Sequence, residues 1–200
     1  MKKGNKIILS IIGIVIVVGA VIFWLMPDNK VTYNNVNSAR PYRGNADASV
    51  VVKVYSDFQC PACKTGAKYM DTVLSKFSNQ IRYEYHHFPL TVIHENAFNA
   101  ALASECANDQ GKFWELHDKM FDNQENLKKD DLKLYASQIE GIDTTSFNAC
   151  LDTRAKKDVV NADISEGENL RIQGTPTFYI NGRELNDYTT LEQEIQKAVL

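Results

Sequence analysis

The sequence has little net charge and no basic stretch beyond its first six residues. Its formal net charge is −3 over 200 residues. Removing the three positive charges of Lys2, Lys3 and Lys6 leaves −6 on residues 27–200, because the residues between are uncharged. An acidic domain has no electrostatic reason to approach a phosphate backbone. We therefore expect no nucleic-acid partner.

Repeats, low-complexity stretches and a dense set of cysteines are also missing. The chain is 44% hydrophobic and 24% charged, which lies within the globular range and excludes collagen-like and wholly disordered chains. About 174 residues follow the apolar run described next, and a chain of that length buries a core without a metal or many disulfides. We expect one compact domain with no cofactor and no metal.

A long apolar run near the amino terminus predicts a membrane span. Every residue from Ile7 to Met26 is uncharged. Twenty residues at roughly 1.5 Å each give a helix of about 30 Å, the hydrocarbon thickness of a bilayer. The preceding lysines predict a cytoplasmic end at residues 1–6 and an extracytoplasmic remainder, tethered to the cell membrane by one signal-anchor helix. The alternative is a signal peptide cleaved after Ala20, which would release the domain as a secreted protein.

Residues 27–48 are predicted to form a linker. They are rich in Asn and show little apolar periodicity. The linker is too short for a dimerisation domain, and we expect a monomer.

Residues 49–200 predict an α/β domain with an all-helical insertion at about 94–172. Two β-rich runs flank a helical pattern after Cys60, and strand, helix and strand in this order form a βαβ unit with parallel strands. After the insertion, Asn181-Gly182 predicts a hairpin, and an amphipathic helix ends the chain. The predicted strands are Ser49–Tyr55, Ile81–His86, Thr177–Ile180 and Arg183–Leu185, and the last helix is Thr190–Leu200.

Two cysteines lie three residues apart where a strand passes into a helix, in Cys60-Pro61-Ala62-Cys63. Pro61 suits the first helical position, so Cys60 lies at the helix amino terminus, where free N–H groups and the helix dipole stabilise a thiolate. That setting lowers a cysteine pKa below about 8.5. Cys60 is the expected nucleophile, and Cys63, less accessible but within disulfide reach, is the expected resolving thiol.

The alternative interpretation of a CxxC motif is half of a zinc site. Such a site needs a second CxxC or a pair of histidines. His86, His87 and His94 keep a metal site as a minority alternative. However, His86 and His87 end a strand whose alternation sends one ring inward and the other to the surface, and His94 precedes a helix that it can cap.

Cys106 and Cys150 lie in two different predicted helices of the insertion. An even number of cysteines outside the cytoplasm indicates that all can pair, and a bridge between these two would close a loop of about 45 residues. We interpret the pair as a structural disulfide. Each of them could instead be a small buried apolar side chain.

Pro176 opens the strand Thr177–Ile180. Proline donates no hydrogen bond to a sheet, so it indicates a turn, an edge or a cis peptide bond. The start of that strand can lie beside the helix amino terminus. Thr175 would then face the Cys60 sulfur and offer its backbone to an extended substrate segment.

Three motifs in this order resemble the DsbA-like thiol-disulfide oxidoreductases, which have a thioredoxin fold. They are Asp57–Cys63 (DFQCPAC), Gln110–Trp114 (QGKFW) within the insertion, and Gly174–Gly182 (GTPTFYING). The resemblance implies that Cys60 attacks, that Cys63 resolves and that Thr175-Pro176 is a cis-proline substrate platform. It also matches Cys106 and Cys150 to a second disulfide that some relatives carry in the insertion.

The resemblance has one departure. Many relatives have a buried carboxylate six residues before the first cysteine, where this chain has Val54. Asp57 is nearer in sequence, but we expect it to be a solvated or capping carboxylate.

The leading hypothesis is an enzyme that transfers its Cys60–Cys63 disulfide to exported cysteine-containing proteins. The resemblance implies re-oxidation by a quinone-linked membrane partner. One alternative is a reductase running the same chemistry backwards, and an isomerase is disfavoured because the linker has no room for a dimerisation domain. From other classes, a CxxC/His metal-binding chaperone module and a non-catalytic peptide-binding domain remain open.

Overall fold

The computed structural model describes residues 40–200, which form a five-stranded mixed sheet with helices packed against it. The strand order is β1-β3-β2-β4-β5, with β2 parallel to β3 and the other pairs antiparallel. The strands are β1 Tyr42–Gly44, β2 Val50–Ser56, β3 Ile81–His87, β4 Thr177–Ile180 and β5 Arg183–Leu185. The helices are α1 Pro61–Phe77, α2 Ala97–Asn108, α3 Phe113–Asp122, α4 Lys129–Ser137, α5 Thr144–Asp152, α6 Lys157–Asn169 and α7 Leu191–Ala198, with a 3-10 turn at Tyr188–Thr190.

The predicted βαβ unit is confirmed. The β-branched residues of β2 pair in parallel with β3 from Val50 opposite Ile81 to Ser56 opposite His87, and α1 makes the crossover. Residues Met70, Val73 and others at helical spacing on α1 are buried against the sheet. The central strand β2 therefore ends beside the amino terminus of α1, where the CxxC motif lies.

The predicted hairpin and helical insertion are also confirmed. Asn181 and Gly182 both have positive φ, 48° and 78°, as a two-residue turn between β4 and β5 requires. Helices α2 to α6 fill the insertion, and a disulfide joins Cys106 on α2 to Cys150 on α5. Its sequence separation is 44 residues. The chain-entropy model assigns a loop of that length a stabilisation of about 4 kcal/mol.

The predicted linker, residues 27–48, is wrong at its carboxyl-terminal end. Tyr42–Gly44 forms β1, an edge strand that pairs antiparallel with β3. Arg43 holds it in place, because its guanidinium bonds Asp71 on α1 and Asp118 on α3 and lies 4.4 Å from the centre of the Trp114 ring. These partners are distant in sequence, so no local pattern predicts the strand.

The predicted membrane span, Ile7–Met26, and the rest of the linker lie outside the described residues. Within residues 40–200, no helix has the length and apolar character needed to cross a bilayer.

The expectation that His86 and His87 face opposite environments is wrong, because both are buried, at 2% and 1% exposure. Alternation does send their rings to opposite faces of the sheet. Helices cover both faces, so His87 contacts Glu105 of α2 while His86 contacts Asp163 of α6. Neither ring reaches solvent.

Candidate active site: a CxxC turn beside a cis-proline

The CxxC motif lies at the turn between β2 and α1. Cys60 is the N-cap of α1 with extended backbone (φ −75°, ψ 120°), and Pro61 takes the first helical position, as predicted. The Cys60 carbonyl accepts hydrogen bonds from the N–H groups of Cys63 (3.0 Å) and Lys64 (3.3 Å). Both thiols are free, with 8% of Cys60 and 1% of Cys63 exposed. The first sulfur is therefore the more accessible of two well-covered thiols.

The two thiols have opposite pKa shifts. A hydrogen bond from the Cys63 side chain is the largest cause that lowers the pKa of Cys60 to about 5, against the opposing effect of burial. The Thr175 side chain and the backbone N–H groups of Cys63 and Ala62 lower the pKa of Cys60 further. Burial is the largest cause that raises the pKa of Cys63 well above its usual value. The predicted helix-terminus effect is thus present, but the partner thiol contributes more.

Thr175-Pro176 lies directly against Cys60. The peptide bond between Thr175 and Pro176 is cis, and the Cys60 Sγ donates to the Thr175 carbonyl oxygen at 3.3 Å. Gly66 on α1 permits this packing, because a Cβ at that position would lie 3.1 Å from Pro176 Cγ and 3.5 Å from a ring carbon of Phe178. The structure therefore brings together the thiol and the platform that the sequence placed 115 residues apart.

Asp57 is neither solvated nor exposed, contrary to the expectation from sequence. It is 1% exposed, and its carboxylate accepts hydrogen bonds from the backbone N–H groups of Gln59 (2.7 Å) and Leu90 (2.8 Å). Its second oxygen also pairs with His94 Nδ1 at 2.7 Å, so His94 does not cap the next helix. The Asp57 backbone N–H donates to Cys63 Sγ at 3.4 Å. The expected capping role holds only for the Gln59 bond, within the turn itself.

Gln124 is a residue at this site that no sequence pattern indicates. It lies in the non-periodic segment between α3 and α4, and its side-chain nitrogen donates to the carbonyls of Phe58 (2.7 Å) and Cys60 (2.8 Å). The side chains of Asp57 and Gln124 therefore both hydrogen-bond to the backbone of this turn.

A nucleophilic thiol lies beside a buried second thiol and a cis-proline, and this arrangement is suited to thiol-disulfide exchange. A protein-family profile described as "Thioredoxin" matches residues 36–199. The chain belongs to the thioredoxin family.

This thioredoxin-family chain is similar to curated proteins of two kinds. It is 35% identical over 165 residues to the Na⁺/H⁺ antiporter NhaA 1 of Mycolicibacterium vanbaalenii, an alignment that covers 80% of this chain and 27% of the antiporter. The chain therefore spans about a quarter of the length of that relative. It is also 28% identical over 221 residues to the "Probable disulfide bond formation protein D" of Bacillus anthracis, covering 100% of this chain and 99% of that protein.

Among solved structures, this thioredoxin-family fold is similar to oxidised BdbD from Bacillus subtilis. The TM-score is 0.72 with 24% sequence identity, over 80% of this chain and 92% of BdbD. The likeness shows a DsbA-like thioredoxin fold.

The metal-site alternative has no support in the cysteine pair. In the part of the chain that the structure describes, one group of three possible metal ligands has its atoms within 4.8 Å of one another, His86, Asp163 and Glu166. It includes neither cysteine of the CxxC motif. Burial opposes a charge on His86, but the surrounding carboxylates raise the pKa of its imidazole to about 10. Arg40 also lies 2.6 Å from Asp163, so the chain's own cations balance these carboxylates.

Proposed function

We propose that the chain is a thiol-disulfide oxidoreductase that oxidises the thiols of exported proteins. The observation that carries this proposal is the geometry at Cys60, a thiol whose pKa is lowered to about 5 while its sulfur lies 3.3 Å from the carbonyl oxygen beside a cis-proline. A thiol that ionises so readily is a good leaving group. A disulfide that contains it is therefore readily given up.

The reaction has two exchange steps. In the first, a substrate thiolate attacks Cys60 Sγ of the Cys60–Cys63 disulfide, the S–S bond breaks, and Cys63 leaves as a thiolate that takes up a proton. In the second, another substrate thiolate attacks the substrate sulfur of the mixed disulfide, and Cys60 leaves as a thiolate. Two electrons pass from the substrate dithiol to the protein, and the substrate gains one disulfide.

The Thr175 backbone supports the mixed disulfide in this proposal. Cys60 lies against Thr175, and the short segment before the cis-proline, which lies outside β4, has a backbone that can pair with a bound chain. The substrate chain would lie along this segment as an added strand, with its cysteine at Cys60.

The lowered pKa of Cys60 supports the oxidising direction of this proposal. The lowered pKa means that at neutral pH the surroundings of Cys60 stabilise its thiolate. This thiolate exists in the reduced protein and not in the disulfide, so its stabilisation favours the reduced protein. We propose further that the domain works outside the cytoplasm, tethered by Ile7–Met26, as a monomer, and that a quinone-linked membrane protein re-oxidises it. These parts rest on the apolar run, the short linker and the resemblance to DsbA-like proteins.

The experiment uses the full chain in mild detergent, with Cys60→Ser and Cys63→Ser as matched variants. Oxidised protein is mixed with a reduced, unfolded substrate protein, and the loss of free thiols from the substrate is followed over time. We expect the native chain to oxidise the substrate and neither Cys60→Ser nor Cys63→Ser to do so, because neither variant can form the Cys60–Cys63 disulfide that takes up the two electrons. Failure of the native chain to remove substrate thiols would contradict the proposal.

The reduction potential distinguishes the reductase alternative from the proposed oxidase. It is measured by equilibration in glutathione buffers of defined ratio. A potential near about −120 mV favours oxidation, and one near about −270 mV favours reduction. The lowered pKa of Cys60 predicts the oxidising end of this range.

A further inference from the structure

Gln124 reaches from the helical insertion to the CxxC turn. It lies between the end of α3 and the start of α4 and is 9% exposed. A side-chain amide nitrogen has two hydrogens to donate. Gln124 uses both on one turn, at 2.7 Å to the Phe58 carbonyl and 2.8 Å to the Cys60 carbonyl.

These two carbonyls fix the backbone of the turn. The Phe58 carbonyl belongs to the peptide plane before Gln59, and the Cys60 carbonyl to the plane before Pro61. When one rigid amide group holds both oxygens, the dihedral angles of Gln59 and Cys60 between them cannot change independently. Gln124, a residue of the helical insertion, therefore restricts the conformation of the turn.

The Cys60 conformation sets the position of the thiol that the proposed reaction uses. Its extended backbone places Sγ 3.3 Å from the Thr175 carbonyl oxygen, and its own carbonyl accepts the first N–H bonds of α1, from Cys63 and Lys64. Loss of the Gln124 bond would leave this carbonyl held by those two N–H groups alone, and the peptide plane before Pro61 could then rotate more freely. Rotation would move Sγ away from both Thr175 and the helix amino terminus.

We propose that Gln124 is a positioning residue for Cys60, which the helical insertion supplies to the active-site turn. The inference rests on the proposed function, since it concerns the same thiol. It assigns the insertion a part in thiol reactivity. The competing interpretation is that Gln124 only satisfies two buried carbonyls and so contributes to stability alone.

The experiment compares two substitutions in the full chain. Gln124→Met keeps the side-chain length and removes the donors. Gln110→Met is the matched control, because Gln110 also makes two bonds to backbone, with the carbonyl and N–H of Asp143 in the insertion, and touches no residue of the CxxC turn. The rate of Cys60 alkylation by iodoacetamide is measured against pH, with the modified residue identified by mass spectrometry.

We expect Gln124→Met to move the midpoint of the alkylation curve upward by about one pH unit, the size set by hydrogen bonds of ordinary strength. The equilibrium constant for oxidising glutathione should fall about tenfold at neutral pH, which corresponds to a potential about 30 mV more reducing. Gln110→Met should leave both values unchanged, although its unfolding midpoint can fall.

Coincident alkylation curves for the native chain and Gln124→Met would overturn the proposal, even if the variant is less stable. Should Gln124→Met not fold, Gln124→Asn gives the same test, because it keeps an amide that is one methylene too short to reach both carbonyls. The thiol titration needs no protein substrate. A native chain that fails to oxidise substrates would therefore contradict the proposed function without bearing on Gln124.

Discussion

The lowered pKa of Cys60 predicts a specific pH dependence of stability in the reduced protein. The pKa of Cys60 is about 5 in the folded chain, and a cysteine in an unfolded chain titrates near about 8.5. A group whose folded pKa is the lower one contributes stability that is complete above the unfolded value. That contribution is lost as the pH falls through the folded value.

The magnitude follows from the interval between the folded pKa and the working pH. At pH 7 the interval is about two pH units, which corresponds to about 3 kcal/mol of unfolding free energy, and at pH 4 almost nothing remains. Cys60 is 8% exposed, so solvent screening reduces this value little. Burial raises the pKa of Cys63, which stays protonated over the whole interval and does not contribute.

The assay is urea unfolding of the reduced full chain and of Cys60→Ser at pH 7 and pH 4, with enough reductant to keep the CxxC thiols reduced. Many carboxylates and His86 also titrate, but they are common to both proteins, so the difference between the two isolates Cys60. We expect the native chain to lose about 3 kcal/mol of its advantage over Cys60→Ser between pH 7 and pH 4. A difference that stays constant across this interval would refute the reasoning about the Cys60 thiolate.

Three further predictions concern residues around the site. Gly66→Ala places a Cβ 3.1 Å from Pro176 Cγ, so we expect a loss of about 1 to 2 kcal/mol in urea unfolding and slower thiol exchange; unchanged exchange would mean that the platform shifts freely. Asp57→Ala leaves two backbone N–H groups without an acceptor, so unfolding should cost about 2 to 3 kcal/mol less, and a neutral effect would show that water replaces the carboxylate. Replacing Cys106 and Cys150 together by Ala should lower the unfolding free energy by about 2 to 4 kcal/mol without moving the Cys60 alkylation curve, and a moved curve would contradict a purely structural disulfide.

The features that could be predicted from sequence are those set by local chemistry. Pro61 begins a helix because its φ is already helical and it has no N–H to lose. Asn181-Gly182 forms a hairpin turn because both residues tolerate positive φ. The CxxC motif lies between a β-branched run and a helical pattern, which fixes its place in the fold before any tertiary contact is known.

The features that could not be predicted depend on partners distant in the chain. The carboxylate of Asp57 is buried because Leu90 and His94, 33 and 37 residues away, donate to it. Gln124 finds its carbonyls 66 and 64 residues away, in a segment without periodicity. Neither residue signals a buried role in the sequence, since a lone Asp or Gln is usually solvated.

The opposite pKa shifts of the two cysteines have different consequences in the proposed reaction. When a substrate attacks Cys60, Cys63 leaves into a buried position where its protonated form is the stable one. The strand position from which many relatives supply a carboxylate holds Val54, which is 2% exposed. That position therefore offers no carboxylate to accept the proton from Cys63. When the second substrate thiolate completes the exchange, Cys60 leaves as a thiolate that its surroundings stabilise. The departure of Cys60 therefore favours the reduced protein in the proposed reaction, whereas Cys63, protonated at neutral pH with or without its shift, adds nothing to that preference.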